Sequence, residues 1–301
     1  MLALYDVQQH RHLTDVYGED SGVVGRMFAG VAQWMLGCPD RARRHSDDGL
    51  RLSRELGYPF GVAQALWART IIDQYCGDVD RVRERGEALI RLCREAEIAL
   101  WLLGGGRILR GWALARQGRV GPGLAQLRRG LDAWRATGAA HMVPYFLALL
   151  AEALAQNGAS EAARAALAEA QAVAERTGER WYEAELHRLA GVLALQGGAV
   201  QAAQDSFQRA LAIAGRQQAR SLELRAAISL ARLWAGQGAR QRAYHLLMPV
   251  YEGFTEGFDT ADLATARALL NELGMPGPSL AWDSVNSRAR SRQSAVRLVR
   301  G

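Results

Sequence analysis

The segments NGASEAARAALAEA (157–170) and GGAVQAAQDSFQRA (197–210) decide the fold, because they place the same residue types at the same points forty positions apart. Gly158 aligns with Gly198, and in both segments a small residue follows five positions later and an alanine twelve positions later. Apolar residues recur three to four positions apart among strong helix formers. Both segments therefore predict an amphipathic helix that begins just after a glycine turn.

The turn glycine recurs six times at intervals of forty or forty-one residues: Gly37, Gly77, Gly118, Gly158, Gly198 and Gly238. Small residues precede each of these glycines by seven positions: Gly30, Thr70, Gly111, Ala151, Gly191 and Ala231. Small residues at matching points let paired helices approach closely. A second turn signal falls half a period later, at Gly57, Gly138 and Gly178, where glycine suits the residue past a helix end. Each period therefore predicts a helix A, a turn, a helix B and another turn.

The repeat predicts the fold class and the division of the chain. No segment shows sustained two-residue alternation, so no sheet is expected. One helical hairpin cannot bury its apolar face alone, so neighbouring hairpins must stack. We predict an all-α solenoid of about six helical hairpins over residues 22–258. An irregular lead is expected at 1–21, a capping helix at 259–275 and a disordered arginine-rich tail at 276–301.

The composition excludes several classes of protein. The chain has 301 residues, of which 49% are hydrophobic and 23% charged, so it is not disordered. Uninterrupted apolar stretches, such as 98–103, are far shorter than the ~20 residues of a membrane-spanning helix. Three cysteines are too few for a disulfide framework, and the N-terminus does not resemble a signal peptide. These observations predict a cytoplasmic protein that does not bind a membrane.

All 37 cationic side chains are arginine, which excludes a P-loop lysine and a Schiff-base lysine. Five arginines and one aspartate give residues 279–301 a net charge of +4, so the other 278 residues carry only +2 of the total of +6. A nearly neutral body is poorly suited to phosphate backbones. We therefore do not expect nucleic acid to be a partner.

No catalytic or metal-binding motif is present in the sequence. There is no HExxH, no paired CxxC and no GxSxG, and the six histidines are scattered over different hairpins. The sequence therefore predicts no catalytic residues, no metal, no cofactor and no enzymatic activity. The run at 104–106 (GGG) follows no strand, so we expect helix A of the third repeat to begin or kink there rather than a phosphate to bind.

The repeated pattern resembles the tetratricopeptide repeat. Glycine at the turn is followed by alanine, a bulky residue and alanine, most clearly at Gly198, Ala203, Phe207 and Ala210. The resemblance implies a right-handed superhelix with helix A on its concave face. The period of forty exceeds the thirty-four residues usual in that family, which implies longer helices.

A narrower resemblance is to the repeat region at the C-terminal end of large bacterial signalling ATPases, many of which are fused to a class III adenylate or guanylate cyclase domain. It covers residues 2 to about 260 and rests on five segments: 5–20 (YDVQQHRHLTDVYGED), 34–42 (WMLGCPDRA), 108–118 (ILRGWALARQG), 145–153 (YFLALLAEA) and 178–189 (GERWYEAELHRL). The chain has no GxxxxGK[ST] loop and no cyclase aspartates in a strand context. The resemblance implies the regulatory or sensory arm of such a system.

A partner or ligand is expected in the concave groove that helix A lines in tetratricopeptide arrays. Projecting the groove positions onto this chain gives Gln64, Trp67, Ile71, Trp112, Arg116, Tyr145, Glu152, Gln156, Glu185 and Arg188. Aromatic residues beside arginines and carboxylates suit a peptide or a small polar ligand, although a solvated amphipathic face has the same composition. Arg110 is a further candidate, because a cation at a hairpin-packing position needs a partner and none is readable for it, whereas Arg69 has Asp73 one turn later.

Two functions fit these observations. The first is a non-catalytic scaffold for protein–protein interaction, with a protein or peptide partner in the groove. The alternative is a solenoid that senses a small-molecule effector, resembling the inducer-binding solenoid of maltose-regulator-type transcription activators. Stabilisation of the chain by one small ligand would favour the alternative.

Overall fold

The chain forms helices and no strand over the residues that the computed structural model describes, 4–98 and 100–274. Two short helices come first: α1 (Val7–His10) and α2 (Leu13–Tyr17). Six helical hairpins follow: α3 (Ser21–Met35) with α4 (Pro39–Leu56), α5 (Pro59–Cys76) with α6 (Val79–Glu95), α7 (Leu100–Arg116) with α8 (Val120–Arg135), α9 (Val143–Gln156) with α10 (Ser160–Thr177), α11 (Glu183–Gln196) with α12 (Val200–Gln217), and α13 (Arg220–Gly236) with α14 (Arg240–Glu252). A last helix, α15 (Ala261–Leu273), packs against α13 and α14. The predicted all-α fold is confirmed.

The six turn glycines follow the first helix of each hairpin, as the repeat predicts. Their φ angles lie between +74° and +84°, a left-handed conformation that glycine adopts without steric cost. The second turns at Gly57, Gly138 and Gly178 also have positive φ angles. After the second and fifth hairpins the same conformation is adopted by Glu97 (φ 51°) and Gln218 (φ 55°). A search for glycine alone therefore misses these two turns.

Small residues lie at the contact between the paired helices of the first, third and fifth hairpins, at Gly30, Gly111 and Gly191. The backbones of α7 and α8 approach closely, so that a Cβ on Gly111 would lie 2.8 Å from the carbonyl oxygen of Gly123. The run at 104–106 lies inside α7, so the predicted helix start there is wrong. A Cβ on Gly104 would lie 2.9 Å from the carbonyl oxygen of Gly130. These glycines thus allow close helix packing instead of ending the helix.

The N-terminal lead is helical where the sequence predicts irregular structure, whereas the C-terminal helix lies where it is predicted. The described part of the lead at 1–21 contains α1 and α2, where the sequence predicts irregular structure. The Asp6 carboxylate stabilises α1 by accepting hydrogen bonds from the backbone amides of Gln8 and Gln9, at 2.8 and 3.0 Å. At the other end, α15 lies where the capping helix is predicted, and the tail at 276–301 lies outside the described residues.

The array closes on itself, because α13 and the segment that leads into α15 contact the first hairpin. The Ser221 hydroxyl donates a hydrogen bond to the carbonyl oxygen of Trp34 at 2.5 Å. The Arg43 guanidinium donates to both carboxylate oxygens of Asp259 at 2.9 Å. The concave face therefore surrounds a largely filled centre instead of an open groove.

Candidate functional site

Aromatic side chains from four hairpins fill the centre of the concave face. Tyr75 stacks on Trp34 with 4.4 Å between ring centroids and meets Tyr145 edge-on at 5.7 Å. Tyr182 lies 5.1 Å from Tyr145 and 4.9 Å from Trp181. Tyr75 and Trp181 line a cavity on one side, and Tyr182 lines a second cavity on the other. This aromatic cluster thus separates an apolar compartment from a charged compartment.

The charged compartment is a cavity of about 240 Å³. Its walls carry four arginines and three carboxylates: Arg116, Arg188, Arg225, Arg232, Glu152, Glu185 and Asp262. The indole N–H of Trp112 donates to the Glu152 carboxylate at 2.9 Å, and the Arg116 guanidinium lies 3.6 Å from the same carboxylate. Arg232 is exposed and forms no ion pair with any residue of the described ranges.

Glu185 lies at the centre of the charged compartment. The Arg188 guanidinium binds its carboxylate through two hydrogen bonds, Nε to Oε2 at 2.9 Å and Nη2 to Oε1 at 2.7 Å. Burial raises the pKa of Glu185, but Arg188 and Arg225 outweigh it, so the pKa lies below its ordinary value. Glu185 is therefore ionised at neutral pH.

Arg225 connects the charged compartment to both ends of the array. Its Nε donates to Asp262 of α15 at 2.7 Å, and its Nη2 donates to the backbone carbonyl of Tyr75 at 2.9 Å. The guanidinium carbon lies 4.9 Å from the ring centroid of Trp34, a cation–π geometry. Burial lowers the pKa of Arg225, but Asp262 and Glu185 raise it more, so it stays well above its ordinary value. One charged side chain thus contacts the first, second and fifth hairpins and α15.

The apolar compartment is a cavity of about 460 Å³. Its walls are mainly apolar: Val24, Met27, Phe28, Val31, Trp67, Ala68, Ile71 and Trp181. The Gln64 side-chain amide donates to the Glu19 carboxylate at 3.0 Å, which orients its oxygen. The Oε1 atom of Gln64 and the hydroxyl of Tyr75 are both buried, and neither has a hydrogen-bond partner among the described residues. Phe28 lies at the rim with 71% of its surface exposed.

No family model matches the chain. An uncharacterised protein of Rhizobium meliloti (strain 1021) is 26% identical over 245 residues, which are 81% of this chain and 22% of that protein. The chain therefore spans about a fifth of the length of this curated relative.

Three solved structures illustrate the fold. A Rap protein complexed with Competence and Sporulation Factor is similar with a TM-score of 0.58 and 13% identity, over 84% of this chain and 74% of that one. The apo form of RapI is similar with a TM-score of 0.55 and 14% identity, over 88% of this chain and 92% of that one. The third is a signal transduction ATPase with numerous domains and a tetratricopeptide repeat sensor, from Pyrococcus horikoshii. It is similar with a TM-score of 0.52 and 14% identity, over 77% of this chain and 40% of that one. This chain has a tetratricopeptide-like solenoid fold.

The solenoid brings most of the predicted groove residues to its two compartments. Trp112, Arg116, Glu152, Glu185 and Arg188 line the charged compartment. Three more of the predicted residues line the apolar compartment: Gln64, Trp67 and Ile71.

The remaining predicted residues lie outside both compartments. Tyr145 is fully buried in the aromatic cluster, where its hydroxyl donates to the side-chain oxygen of Gln74 at 2.8 Å. Gln156 is exposed at the last position of α9. Arg110 lies in a separate cleft between α6 and α8, and its Nε donates to Glu87 of α6 at 3.2 Å. Arg110 is therefore not a groove residue, because its position on α7 faces α6.

Two arginines of the charged compartment are absent from the sequence prediction, although the repeat contains the signal for them. Arg225 precedes its turn glycine by thirteen residues, as Glu185 does. Arg232 precedes the turn glycine of its hairpin by six residues, as Trp112 and Glu152 precede the turn glycines of theirs. Extending the projection to the sixth hairpin finds both residues.

The chemistry that the two compartments offer is binding by ion pairs on one side and by apolar contacts on the other. Within the described ranges, no three histidine, cysteine, aspartate or glutamate side chains are grouped to hold a metal ion. None of the helices at 4–98 and 100–274 combines the length and hydrophobicity needed to cross a membrane.

Proposed function

We propose that this solenoid is a non-catalytic scaffold that binds a protein or peptide partner on its concave face. The observation that carries the proposal is the charged compartment, in which four arginines face three carboxylates and Arg232 has no ion-pair partner among the described residues. A carboxylate of the partner, from an acidic side chain or a C-terminus, would complete the set of ion pairs. Such charge-assisted hydrogen bonds to arginine are strong and directional.

Partner binding at this place would act on the closure of the array. Arg232 and Arg225 lie two turns apart on α13, and Arg225 contacts the first two hairpins and α15. A partner that binds α13 better in one arrangement of the closing contacts shifts the equilibrium towards that arrangement. The scaffold then converts partner binding into a change of curvature.

We infer further that the scaffold is the cytoplasmic regulatory arm of a bacterial signalling ATPase or nucleotide cyclase system. Three observations support this inference. The sequence resembles such arms, and the region matched in the relative from Rhizobium meliloti is only 22% of that protein's length. The fold is also similar to that of an ATPase with a tetratricopeptide repeat sensor. In this role the catalytic step belongs to attached or associated machinery.

A photo-crosslinking experiment tests the binding surface. A benzoylphenylalanine replaces Arg232 in one variant and Arg128, which is exposed on α8, in the control. We expect a defined adduct in cells of the source organism from position 232 only, and a peptide of the captured protein that binds the purified chain. R232A should weaken binding of that peptide about tenfold, as expected for a charge-assisted hydrogen bond. Equal adducts from both positions, or a peptide that binds R232A as well as the unaltered chain, would contradict the proposed surface.

An activity assay tests the proposed lack of catalysis. The purified chain is incubated with ATP or GTP and a divalent cation, and the products are separated by chromatography. We expect neither hydrolysis nor cyclisation above the rate of a heat-denatured sample. Turnover by the chain alone would remove the scaffold proposal.

A second candidate function is the sensing of a small-molecule effector. The apolar compartment favours it, because buried side chains of α5 form part of its wall and include polar atoms that lack a partner in the described part of the chain. The two functions are compatible, since they use opposite sides of the aromatic cluster.

A further inference from the structure

We propose that the apolar compartment is a binding site for a free small molecule, not for a partner's side chain, and that this molecule has an aromatic body and an uncharged or cationic hydrogen-bonding head group. The proposal deepens the second candidate function and does not depend on a partner of the charged compartment.

The shape of the compartment fits a small molecule. Its volume of about 460 Å³ falls within the ~300–1,000 Å³ typical of small-molecule sites. The first hairpin contributes Met27 and Val31, the second contributes Trp67 and Ile71, and Trp181 comes from the fifth. Apolar walls from three hairpins bury an apolar body on several sides, and the two indole rings favour an aromatic one.

Two polar atoms define the head group of the ligand. Gln64 is 6% exposed and Tyr75 is 1% exposed, and both line the compartment. The Oε1 atom of Gln64 and the hydroxyl of Tyr75 have no hydrogen-bond partner in the described ranges. Buried polar groups of folded proteins nearly always have a partner, because an unsatisfied one is unfavourable. A ligand that donates to Gln64 and forms a hydrogen bond with the Tyr75 hydroxyl, which can donate or accept, would satisfy both atoms.

Charge at the compartment disfavours anionic ligands. Glu19 lies at the rim and carries the only permanent charge among the described lining residues, whose other ionisable side chains are Tyr75 and His141. Burial raises the pKa of Tyr75 well above its ordinary value, so its hydroxyl stays protonated and can donate. A carboxylate in the ligand would be repelled by Glu19, whereas an ammonium group would be attracted to it.

Isothermal titration of the full chain with four indole compounds tests the proposal. Indole is neutral, tryptamine is cationic, indole-3-acetate is anionic, and N-acetyltryptophanamide presents the same ring on a peptide-like group. We expect saturable binding of indole and tryptamine and at least tenfold weaker binding of indole-3-acetate. Binding of N-acetyltryptophanamide alone would instead assign the compartment to a partner's side chain and overturn the proposal. No binding of any of the four compounds would mean that water satisfies the two polar atoms, and would also overturn it.

A matched pair of variants locates the site. Y75F removes the hydroxyl that lacks a partner, whereas Y145F removes a hydroxyl of the same aromatic cluster that is already bonded to Gln74. We expect Y75F to weaken binding of the neutral or cationic compound about threefold to tenfold, as the loss of one hydrogen bond predicts, and Y145F to change it by less than twofold. Q64L should weaken binding to a similar extent. Equal effects of Y75F and Y145F would place the compound elsewhere, while leaving the crosslinking result at Arg232 unaffected.

Discussion

The charged and the apolar compartments use the same repeat positions but contribute differently to the fold. Six residues before the turn glycine, Val31 and Ile71 line the apolar compartment, whereas Glu152 and Arg232 line the charged one. The charged compartment also contains Arg225, which contacts both ends of the array. We expect substitutions in the charged compartment to change stability, and substitutions at the rim of the apolar compartment to change binding alone.

The difference shows how a repeat separates structure from function. The small residues between paired helices stay small in most hairpins, because a larger side chain there would push the helices apart. The concave positions of helix A do not determine the packing within a hairpin, so their side chains vary from one hairpin to the next. Variation at these positions produces two compartments of opposite character on one scaffold.

The largest expected effect is that of R225M. The substitution keeps much of the side-chain length but removes the cation that contacts Asp262, Glu185 and the Trp34 ring. Removing one partner of a buried ion pair costs about 3–5 kcal/mol, so we expect the free energy of unfolding to fall by about that amount. Urea unfolding measures the loss, and small-angle X-ray scattering should show a larger radius of gyration as the ends separate.

The matched control for R225M is R216M on α12, where the arginine is exposed and forms no ion pair with described residues. It should change the free energy of unfolding by less than about 0.5 kcal/mol. If R225M behaved like this control, Arg225 would not hold the closure, and the contrast between the two compartments would fail.

A smaller effect is expected for E185Q. Arg188 loses its ionised partner, and hydrogen bonds to charged groups contribute about 1.5–3 kcal/mol, so we expect a loss in that range at pH 7. The pKa of Glu185 in the folded chain lies below its unfolded value of about 4.3. The stabilisation that its ionised carboxylate gives to the folded chain is therefore complete above that value and is lost as the pH falls through the folded pKa.

Urea unfolding of the unaltered chain and E185Q at several pH values measures this contribution. The difference in unfolding free energy should be constant above about pH 5.5 and shrink below about pH 4. E175Q is the control, because Glu175 is exposed and no ion pair is found for it in the described residues. A difference that was as large at pH 3 as at pH 7 would show that the ionised carboxylate is not what stabilises the chain.

The parts of the fold that could be predicted are local. A turn glycine, a small residue seven positions before it and a helical pattern between turns all act within one hairpin, so the sequence period indicates them directly. The partner of Arg69 was predictable for the same reason: Asp73 lies one turn later on α5 and binds its guanidinium. The two turns at Glu97 and Gln218 were missed, because residues other than glycine adopt the left-handed conformation there.

The closure of the array could not be predicted, because it depends on the sum of small rotations between successive hairpins. Ser221 and Trp34 are joined by a hydrogen bond although 187 residues separate them. The same reasoning explains the two compartments, because the repeat pattern alone predicts Gln64, Trp67 and Ile71 in one groove with the charged residues. Only the closed arrangement places the aromatic cluster between them.

The smallest effect on stability is expected for F28S, at the rim of the apolar compartment. The Phe28 ring is already 71% exposed, so replacing it should change the free energy of unfolding by less than about 0.5 kcal/mol. The ring nevertheless lines the compartment, so its loss removes apolar contact area from a bound indole and should weaken binding about threefold. L36S is the control, because Leu36 is also exposed, at 47%, but does not line the compartment, and it should change neither quantity. If F28S instead destabilised the chain as strongly as E185Q, the rim of the apolar compartment would belong to the closure, and the two compartments would not differ in the way their residues indicate.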